Sequence, residues 1–578
     1  MEIYELPNQY LIIQMELWTC VLLLCAAAVC VTCEQPTRDE DWLELDTPQG
    51  PVRGRRDPEA DHLYVFYNIP YATGPEGENK FKPPLPPPTW TTPYDAVDKF
   101  VRCPQATQPN HANKAIIFKE DCLIANVYVP DTEEKNLSVF VYIHGGGFGT
   151  GYGNMIKAKH FLDKKDIIMV TFNYRLAVHG FLCLGTDDIP GNAGMKDQVA
   201  LLRWVQHNIA SYGGNPNDVT LAGSSAGSVS SDLLMLSKAA EGLFHRVIPE
   251  SGGNLAVFSS QRDPLAIAKF QAKLLNFTDV DNIKALEKFY KTAPMSLLTS
   301  HLRFHRPDFN YFFSPCVERE TATEAFLTET PLSILQKNTY KKLPVLYGFA
   351  NREGLFRIRQ FDTWKYRMNE KFSDFLTIDL KFKTAEEKAE VAERVKDFYF
   401  RGSPVYEKVL DYVDFYSDAL FIHPMHWAAK MYVENGNNEV YLYVYSFVDD
   451  DSPIIPHTDV HGAGHCAQSL ALVDGRDGSV YNESILTPEY RNMKKIVREI
   501  WHSFVKTGKP VPEGSSLPAW PAAGVDRAPY MSLGQKVELR HEPLLETRTR
   551  FWEDIYQKYY RAPIPPPNPE PETIQMTK

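Results

Sequence analysis

The chain has 578 residues, of which 44% are hydrophobic, and this is enough apolar material to form a large buried core. Its 61 basic and 73 acidic residues give a formal net charge of −12, and it contains no long basic run. This balance argues against nucleic acid or an anionic membrane surface as a partner and favours a small neutral or apolar molecule.

An uncharged segment near the N-terminus indicates export. Residues 17–33 carry no charge, end in small residues before Glu34, and are short for a membrane span, which needs about 20 apolar residues. We therefore predict that residues 1–33 are a secretory signal peptide, with Met15 as an alternative initiator, and that the mature protein is secreted and extracellular. Acidic residues precede the segment where a signal peptide is normally basic, and the alternatives are an uncleaved anchor and a tail with neither role.

The cysteines and the glycosylation motifs also bear on whether the protein is secreted. The cysteines beyond the leader number five, so a secreted chain keeps at least one free thiol. They are Cys103, Cys122, Cys183, Cys316 and Cys466. Three Asn-X-Ser/Thr tripeptides predict glycosylation in the secretory pathway, at Asn136, Asn276 and Asn482.

The remaining chain shows one region of globular sequence and a short tail. Apolar segments recur to about residue 560 without repeats or a linker-like change in composition, which predicts a single domain over residues 34–560. Residues 561–578 are rich in proline and predict an extended, disordered end. The tail lacks the apolar stretch of a lipid-anchor signal, so we expect no stable membrane anchor.

Three short runs of β-branched and aromatic residues, each followed by a turn signal, predict buried strands. They are LSVFVYI at 137–143, DIIMVTF at 166–172 and DVTLAG at 218–223. Apolar residues at helical spacing between Val199 and Ile209 predict a helix that ends at the glycines 213 and 214. Strand, helix, strand predicts an α/β fold with a large, mainly parallel central sheet flanked by helices.

A candidate nucleophile lies where the third of these strands meets a predicted helix. Residues 223–227 read GSSAG, a GxSxG pattern, and a sharp turn there would strain the middle residue, Ser225, and expose its hydroxyl. The N-terminus of the following helix favours developing negative charge. A small-residue turn without chemistry is the alternative, and the strand and helix on either side favour the nucleophile.

A glycine-rich loop offers the second requirement, because a serine nucleophile needs a site for the oxyanion. The sequence HGGGFGTG follows the first predicted strand, and we predict that Gly146 and Gly147 donate their amides alongside Ala226. Glycine loops also hold phosphate, but this loop has no lysine and no GKS or GKT ending.

The partners of the serine are expected downstream, because in hydrolases with this motif the chain order is serine, acid, histidine. Glu353 follows the predicted strand LPVLYGF, where folds of this kind place functional side chains. His461 and His465 are both candidates for the base, and their position in the glycine-flanked segment VHGAGH does not decide between them.

Together these motifs resemble the type B carboxylesterase family, which includes the cholinesterases and many insect esterases; the insect enzymes are the most similar. The resemblance begins at FYNIPYA, continues through the motifs above to GAGH, and covers most of residues 45–555. It implies an α/β-hydrolase fold in one domain and a carboxylic ester hydrolase that acts on small-molecule esters. The residues that it implies for the triad are Ser225, Glu353 and His465, with oxyanion donors at Gly146, Gly147 and Ala226.

The resemblance also implies a disulfide between Cys103 and Cys122, which favours an oxidising compartment. His465 departs from the family pattern because Cys466, Ala467, Gln468 and Ser469 follow it where acidic residues are usual, and we expect altered hydrogen bonding around the base. No tryptophan lies between Cys103 and Cys122, where cholinesterases keep one for quaternary ammonium, so choline esters are disfavoured. Ser224 occupies the position where juvenile hormone esterases resemble one another in carrying glutamine, and this difference disfavours a juvenile hormone esterase.

The implied mechanism is an acyl-enzyme pathway on small to medium apolar esters, whether xenobiotic, odorant or lipid-derived. We expect no metal ion and no organic cofactor, because the chemistry needs neither. The alternatives are a non-catalytic binding or adhesion protein on the same fold, and a scavenger that is acylated quickly but turns over slowly. The retained triad residues argue against the first, and the deacylation rate would distinguish the second. Oligomeric state stays open.

Overall fold

The computed structural model describes residues 41–106, 116–300, 306–309, 313–476, 479–480 and 482–568. The residues from Glu44 onward belong to one compact unit. The predicted signal peptide and its alternative initiator, Met15, lie outside the described residues. Among the residues that are described, no helix is both long and apolar enough to cross a membrane.

In the part of the chain that the structure describes, the strands form one large sheet and two small ones. Their bounds are β1 Trp42–Thr47, β2 Gly50–Asp57, β3 Ala60–Pro70, β4 Tyr94–Asp95, β5 Val101–Arg102, β6 Ile117–Phe118, β7 Ile124–Pro130, β8 Leu137–Ile143, β9 Ile156–Lys157, β10 Ile167–Phe172, β11 Gly214–Ser224, β12 Arg246–Glu250, β13 Val345–Ala350, β14 Val440–Tyr445, β15 Gly475–Arg476, β16 Ser479–Val480, β17 Tyr530–Leu533 and β18 Val537–Arg540.

The helices cover the sheet and connect its strands. Their bounds are α1 Ala177–Phe181, α2 Ala193–Asn208, α3 Ala226–Leu236, α4 Pro264–Leu274, α5 Ile283–Thr292, α6 Met295–Leu298, α7 Pro331–Lys337, α8 Phe361–Glu370, α9 Ala385–Phe400, α10 Val409–Ser417, α11 His423–Glu434, α12 Ala467–Leu472, α13 Pro488–Thr507 and α14 Glu546–Tyr559. A π-helical turn, Asp418–Ile422, joins α10 to α11.

The large sheet is mixed, with a parallel centre. Its order is β1-β2-β3-β7-β10-β8-β11-β12-β13-β14-β17-β18, with β4 paired to β2. The strands from β10 to β17 in this order run parallel. The pairs β2–β3, β3–β7 and β7–β10 at one side and β17–β18 at the other are antiparallel, and β4 pairs parallel with β2. The prediction of a large, mainly parallel sheet flanked by helices is therefore confirmed.

The central strands lack the alternation of buried and exposed residues seen in one-sided sheets. Every residue of β8, β10 and β13 is buried. Helices cover both faces of a parallel sheet, and continuous β-branched and aromatic runs are the consequence in sequence. Such runs end abruptly at the carboxyl edge of the sheet, where the candidate catalytic residues follow.

Among the described residues, four cysteines form two disulfides. Cys103 and Cys122 are bonded, as the family resemblance implied, with their Cα atoms 5.0 Å apart. Cys183 is bonded to Cys316, a pairing across 133 residues that the sequence left open. Cys466 is free and buried.

The first residues of the proline-rich tail make contacts with the domain. Arg262 Nη1 donates to the Arg561 carbonyl across 3.2 Å, and Arg319 Nη1 donates to the Pro567 carbonyl across 3.2 Å. Pro563 and Pro566 are buried. Because proline has little backbone freedom to lose, a few hydrogen bonds suffice to hold this extended segment.

Candidate active site

Ser225 occupies a sharp turn between a strand and a helix. Strand β11 ends at Ser224 and helix α3 begins at Ala226, and Ser225 between them has φ 57° and ψ −120°. This conformation is unfavourable for a residue with a side chain and persists only where the surroundings enforce it. One enforcing contact is the hydrogen bond from the Ser225 amide to the Glu250 carbonyl, 2.9 Å long.

The glycines on either side of this turn allow two backbone segments to touch. A Cβ atom on Gly223 would lie 2.5 Å from the Gly227 carbonyl, and one on Gly227 would lie 2.1 Å from the Ile143 oxygen. Real Cβ atoms do not approach backbone so closely. The GxSxG pattern is therefore required because helix α3 starts directly against the end of strand β8.

The HGGG loop lies beside the serine. A Cβ on Gly145 would come within 3.1 Å of the Ser225 Cβ, and one on Gly146 would come within 1.9 Å of the Thr150 oxygen. Gly146 and Gly147 have φ values of 116° and 61°, which glycine adopts readily. The amide of Ala226 opens helix α3 and has no acceptor within the helix. The predicted oxyanion donors thus belong to two segments that meet at Ser225.

Glu353 is buried, unlike most loop glutamates. It follows strand β13 at the start of a 3₁₀ turn and is 0% exposed. Its Oε1 accepts hydrogen bonds from the Ala350 amide at 2.8 Å and the Ser251 hydroxyl at 2.5 Å. Its Oε2 lies 2.5 Å from Nδ1 of His465. These hydrogen bonds replace the water that a buried carboxylate has lost.

The two candidate histidines have different partners. His461 Nδ1 lies 2.5 Å from the Ser452 carbonyl oxygen, whereas His465 Nδ1 pairs with Glu353. The Nε2 atom of His465 is buried, and no group in the described part of the chain hydrogen-bonds to it. With Nδ1 donating, the neutral imidazole presents Nε2 as a proton acceptor.

Two aromatic rings hold the imidazole of His465. The ring centroid of Phe421 lies 4.5 Å from that of His465, and the centroid of Phe356 lies 5.2 Å away. Phe421 comes from the π-helical turn between α10 and α11, a feature that is frequent at functional sites. Phe356 is 43% exposed and follows Glu353 by three residues.

Opposing effects act on the pKa of His465. Burial lowers it, but the neighbouring Cys466 sulfur and the Glu353 carboxylate outweigh burial and raise the pKa above its ordinary value. The imidazolium that forms when His465 accepts a proton is therefore stabilised in this site.

Two consecutive side chains of helix α12 form hydrogen bonds with residues at the end of strand β12. Gln468 Nε2 donates to the Ser251 hydroxyl at 2.7 Å, and that hydroxyl donates to Glu353. Ser469 donates to the carboxyl of Glu250, which also accepts from Trp501 Nε1 at 2.9 Å. Gln468, one of the residues that follow His465, thus contributes an amide donor to the hydrogen bonds around Glu353.

Sequence reasoning missed Glu250 and Ser251. Both come at the carboxyl end of a parallel strand, and that position was the available signal. Burial raises the pKa of Glu250 to about 7, although hydrogen bonds from Ser469 and Trp501 act in the opposite direction. A second buried carboxyl therefore lies one residue before Ser251, whose hydroxyl donates to Glu353.

One group of potential metal ligands lies elsewhere among the described residues. His160, Asp474 and Glu483 have ligand atoms within 4.8 Å of one another. Arg498 forms ion pairs with Asp474 at 2.6 Å and with Glu483 at 2.5 Å. The guanidinium already compensates the negative charge that would attract a cation, so this group is better described as an ion-pair network.

The order of the strands and the position of Ser225 between β11 and α3 define an α/β-hydrolase. A sequence profile described as the carboxylesterase family matches residues 41–552. The chain belongs to the carboxylesterase family, and it is a carboxylic ester hydrolase.

Individual relatives agree with this membership. Esterase FE4 of Myzus persicae is 30% identical over 476 residues, which cover 79% of this chain and 82% of that protein. A carboxylic ester hydrolase of Bombus ignitus is 31% identical, with 82% and 87% covered. The crystal structure of juvenile hormone esterase from Manduca sexta, with OTFP covalently attached, has a TM-score of 0.79 at 29% identity and covers 89% of this chain and 100% of that one.

Proposed function

We propose that Ser225, Glu353 and His465 are the catalytic triad of this esterase and that ester hydrolysis passes through an acyl-enzyme. The observation that carries the proposal is the buried pair of Glu353 and His465, in which Nδ1 is bound and Nε2 is left to accept a proton. The strained backbone of Ser225, which presents a hydroxyl at the carboxyl edge of the sheet, supports it further.

In the first half of the reaction, His465 Nε2 removes the proton of Ser225 as Oγ attacks the ester carbonyl. The developing oxyanion accepts hydrogen bonds from the amides of Gly146, Gly147 and Ala226. His465 then gives its proton to the departing alcohol, and Ser225 is left acylated. Water repeats the sequence on the acyl-enzyme, while Glu353 stays ionised and holds the imidazole tautomer.

The substrate class proposed is small to medium esters with apolar groups. The aromatic wall around His465 supports this choice, because Phe421 contacts both His465 and Phe258, whose ring centroid is 5.6 Å from that of Phe421. Apolar walls with few polar groups are typical of small-molecule sites.

Secretion and glycosylation belong to the same proposal. The glycosylation motifs have exposed asparagines at Asn136, Asn276 and Asn482. Two disulfides suit an oxidising compartment. Digestion of the secreted protein with an N-glycosidase should lower its apparent mass, and an unchanged mass would argue against glycosylation.

Hydrolysis of 1-naphthyl acetate by protein lacking residues 1–33 tests the triad. Ser225→Ala should lower kcat on the order of 10⁴- to 10⁶-fold. Ser224→Ala is the matched control, because it removes the neighbouring hydroxyl and should leave kcat within about tenfold. Equal losses in the two variants would argue against Ser225. An initial burst without steady-state turnover would identify a scavenger.

A further inference from the structure

Cys466 is the one free cysteine among the described residues, and it directly follows the proposed base, His465. It is buried, with 6% of its surface exposed. A buried thiol in apolar surroundings is inert and behaves as a small hydrophobic side chain. The surroundings of Cys466 are instead partly polar, and the proposed triad mechanism does not use its sulfur.

A cavity of about 20 Å³ adjoins Cys466. Space of about 10 to 15 Å³ is enough for one water molecule, so this cavity accepts one molecule of that size, or one added oxygen atom, and little more. Several of its lining residues carry a polar group, namely Tyr142, His144, Ser224 and Ser469. The sulfur of Cys466 therefore lies beside a small space that suits an oxygen atom.

One buried polar atom of a lining residue has no partner. Nδ1 of His144 donates to the Gly145 carbonyl oxygen, 2.8 Å away, whereas no described group hydrogen-bonds to the buried Nε2. Burial lowers the pKa of His144 to about 4, so the ring is neutral at pH 7 and Nε2 is an acceptor. Leaving a buried acceptor without a donor is costly, so a hydroxyl added inside the cavity would be stabilised there.

The imidazole of His465 can take the thiol proton of Cys466. Burial lowers the pKa of His465, but the Cys466 sulfur and the Glu353 carboxylate outweigh burial and raise it. The attraction acts in both directions, because an imidazolium also stabilises a neighbouring thiolate. The thiolate is the form of cysteine that peroxides oxidise.

We propose that Cys466 is a site of reversible oxidation by hydrogen peroxide and that its oxidation inhibits the esterase; the inhibition rests on the proposed function. The thiolate attacks one peroxide oxygen, so that an S–O bond forms as the O–O bond breaks, and the sulfur gives two electrons to the peroxide. The hydroxide that leaves takes the proton of the His465 imidazolium and becomes water. The product is a sulfenic acid, whose hydroxyl occupies the cavity and donates to Nε2 of His144.

The surroundings also decide the fate and the effect of this product. The other four cysteines among the described residues form the two disulfides, so none of them is a thiol that could condense with the sulfenic acid. Oxidation removes the thiolate that stabilises the imidazolium of His465. It also fills the space that Ser224 and Cys466 share, next to the nucleophile and the base. Two added thiols reduce the sulfenic acid to Cys466 and water and are themselves joined in a disulfide.

Trapping with dimedone locates the oxidised residue. The protein is treated with hydrogen peroxide, the excess is removed with catalase, and the protein is then unfolded in urea with dimedone, which reaches a sulfenic acid that the fold buries. We expect the adduct on Cys466, measured by peptide mass spectrometry, to increase in step with the loss of 1-naphthyl acetate hydrolysis. Dithiothreitol added before unfolding should restore activity and prevent the adduct.

Cys466→Ala is the control for other oxidised residues. Compared with its own untreated activity, this variant should keep its activity through the same treatment. Met155 lines the same cavity, and its sulfoxide is not reduced by dithiothreitol on this time scale. A loss of activity that dithiothreitol does not reverse, or an equal loss in Cys466→Ala, would place the damage on methionine and overturn the proposal.

The size of the cavity gives a second test. Oxidation by tert-butyl hydroperoxide, relative to its rate with the amino acid cysteine, should be at least about tenfold slower than oxidation by hydrogen peroxide on the same scale. Val473→Ile adds one methylene at the cavity wall and should slow oxidation by hydrogen peroxide. Val391→Ile, the same change at a buried valine of helix α9 outside the cavity, is the control. Equal relative rates for the two peroxides would contradict the role of the cavity.

Formation of the adduct needs no turnover, which separates this proposal from the triad. It is measured in Ser225→Ala as well as in wild type, and the same adduct is expected in both. An adduct on Cys466 together with hydrolysis that does not depend on Ser225 would support the oxidation site and contradict the triad. No adduct on Cys466, or an adduct without loss of activity in wild type, overturns the proposal.

Discussion

The side chain of Gln468 donates a hydrogen bond to the Ser251 hydroxyl across 2.7 Å, and that hydroxyl donates a hydrogen bond to Glu353. Gln468 follows His465 by three residues, so one short segment carries both the base and a support for the acid that orients it. The supporting side chain, Gln468, is a neutral amide. The carboxylate charge near the imidazole therefore comes from Glu353 and not from a side chain at position 468.

Removal of the Ser251 hydroxyl should slow ester hydrolysis. Ser251→Ala leaves Glu353 with one donor fewer, and loss of a hydrogen bond to a buried charge costs about 1.5 to 3 kcal/mol. We expect kcat to fall about 10- to 100-fold with little change in KM. Ser469→Ala is the control, because Ser469 bonds to Glu250 and not to Glu353. A larger effect on KM than on kcat would contradict a positioning role.

The pH profile of kcat/KM should rise into the alkaline range. Activity requires the neutral imidazole, and the Cys466 sulfur and Glu353 outweigh burial to raise the pKa of His465. The apparent pKa of the ascending limb should therefore exceed about 6.5, the ordinary value for histidine. Cys466→Ala should move that limb to lower pH, and an unchanged limb would exclude an effect of the sulfur.

Ionisation of Glu250 should destabilise the folded protein. Burial raises the pKa of Glu250 from 4.5 to about 7, so the folded state favours the protonated form. Protonation of Glu250 contributes about 3 kcal/mol to the free energy of unfolding. This contribution is fully present below pH 4.5 and is lost as the pH rises to about 7. Relative to wild type, Glu250→Gln should gain in Tm between pH 5 and pH 8. A constant difference in Tm across that range would contradict the raised pKa.

The contact between helix α3 and strand β8 predicts a strict need for glycine. Gly227→Ala would place a Cβ 2.1 Å from the Ile143 oxygen, and relief of such overlap costs about 1 to 3 kcal/mol or more. The free energy of unfolding should fall by that amount, and activity should fall with it. At Gly149 an added Cβ meets only the Gly147 oxygen at 3.9 Å, so Gly149→Ala should have a far smaller effect on stability.

Local sequence was sufficient for the centre of the fold. Strands β8, β10 and β11 follow from their β-branched runs, and the GSSAG turn follows from the strand and helix beside it. These features depend on residues that are close in the sequence. The spacing of apolar residues within a short window detects such local relationships. Helix α2 begins six residues before the predicted apolar spacing, at Ala193, because polar and apolar residues are buried alike in its first turns and leave no amphipathic pattern.

Contacts between distant segments could not be predicted in the same way. The choice between His461 and His465 depends on which ring reaches Glu353, more than 100 residues earlier in the chain. The pairing of Cys183 with Cys316 and the roles of Glu250 and Ser251 depend on tertiary structure for the same reason. The contacts of Arg262 and Arg319 with residues 561–568 are also tertiary, and the composition of that segment does not reveal them.

Covalent labelling tests the identity of the nucleophile most directly. The protein would be treated with diisopropyl fluorophosphate, digested, and its adduct located by peptide mass spectrometry. We expect stoichiometric modification of Ser225 with parallel loss of esterase activity, and greatly slowed labelling in His465→Ala. Modification of another residue in step with the loss of activity, or esterase activity that survives full modification of Ser225, would contradict the account.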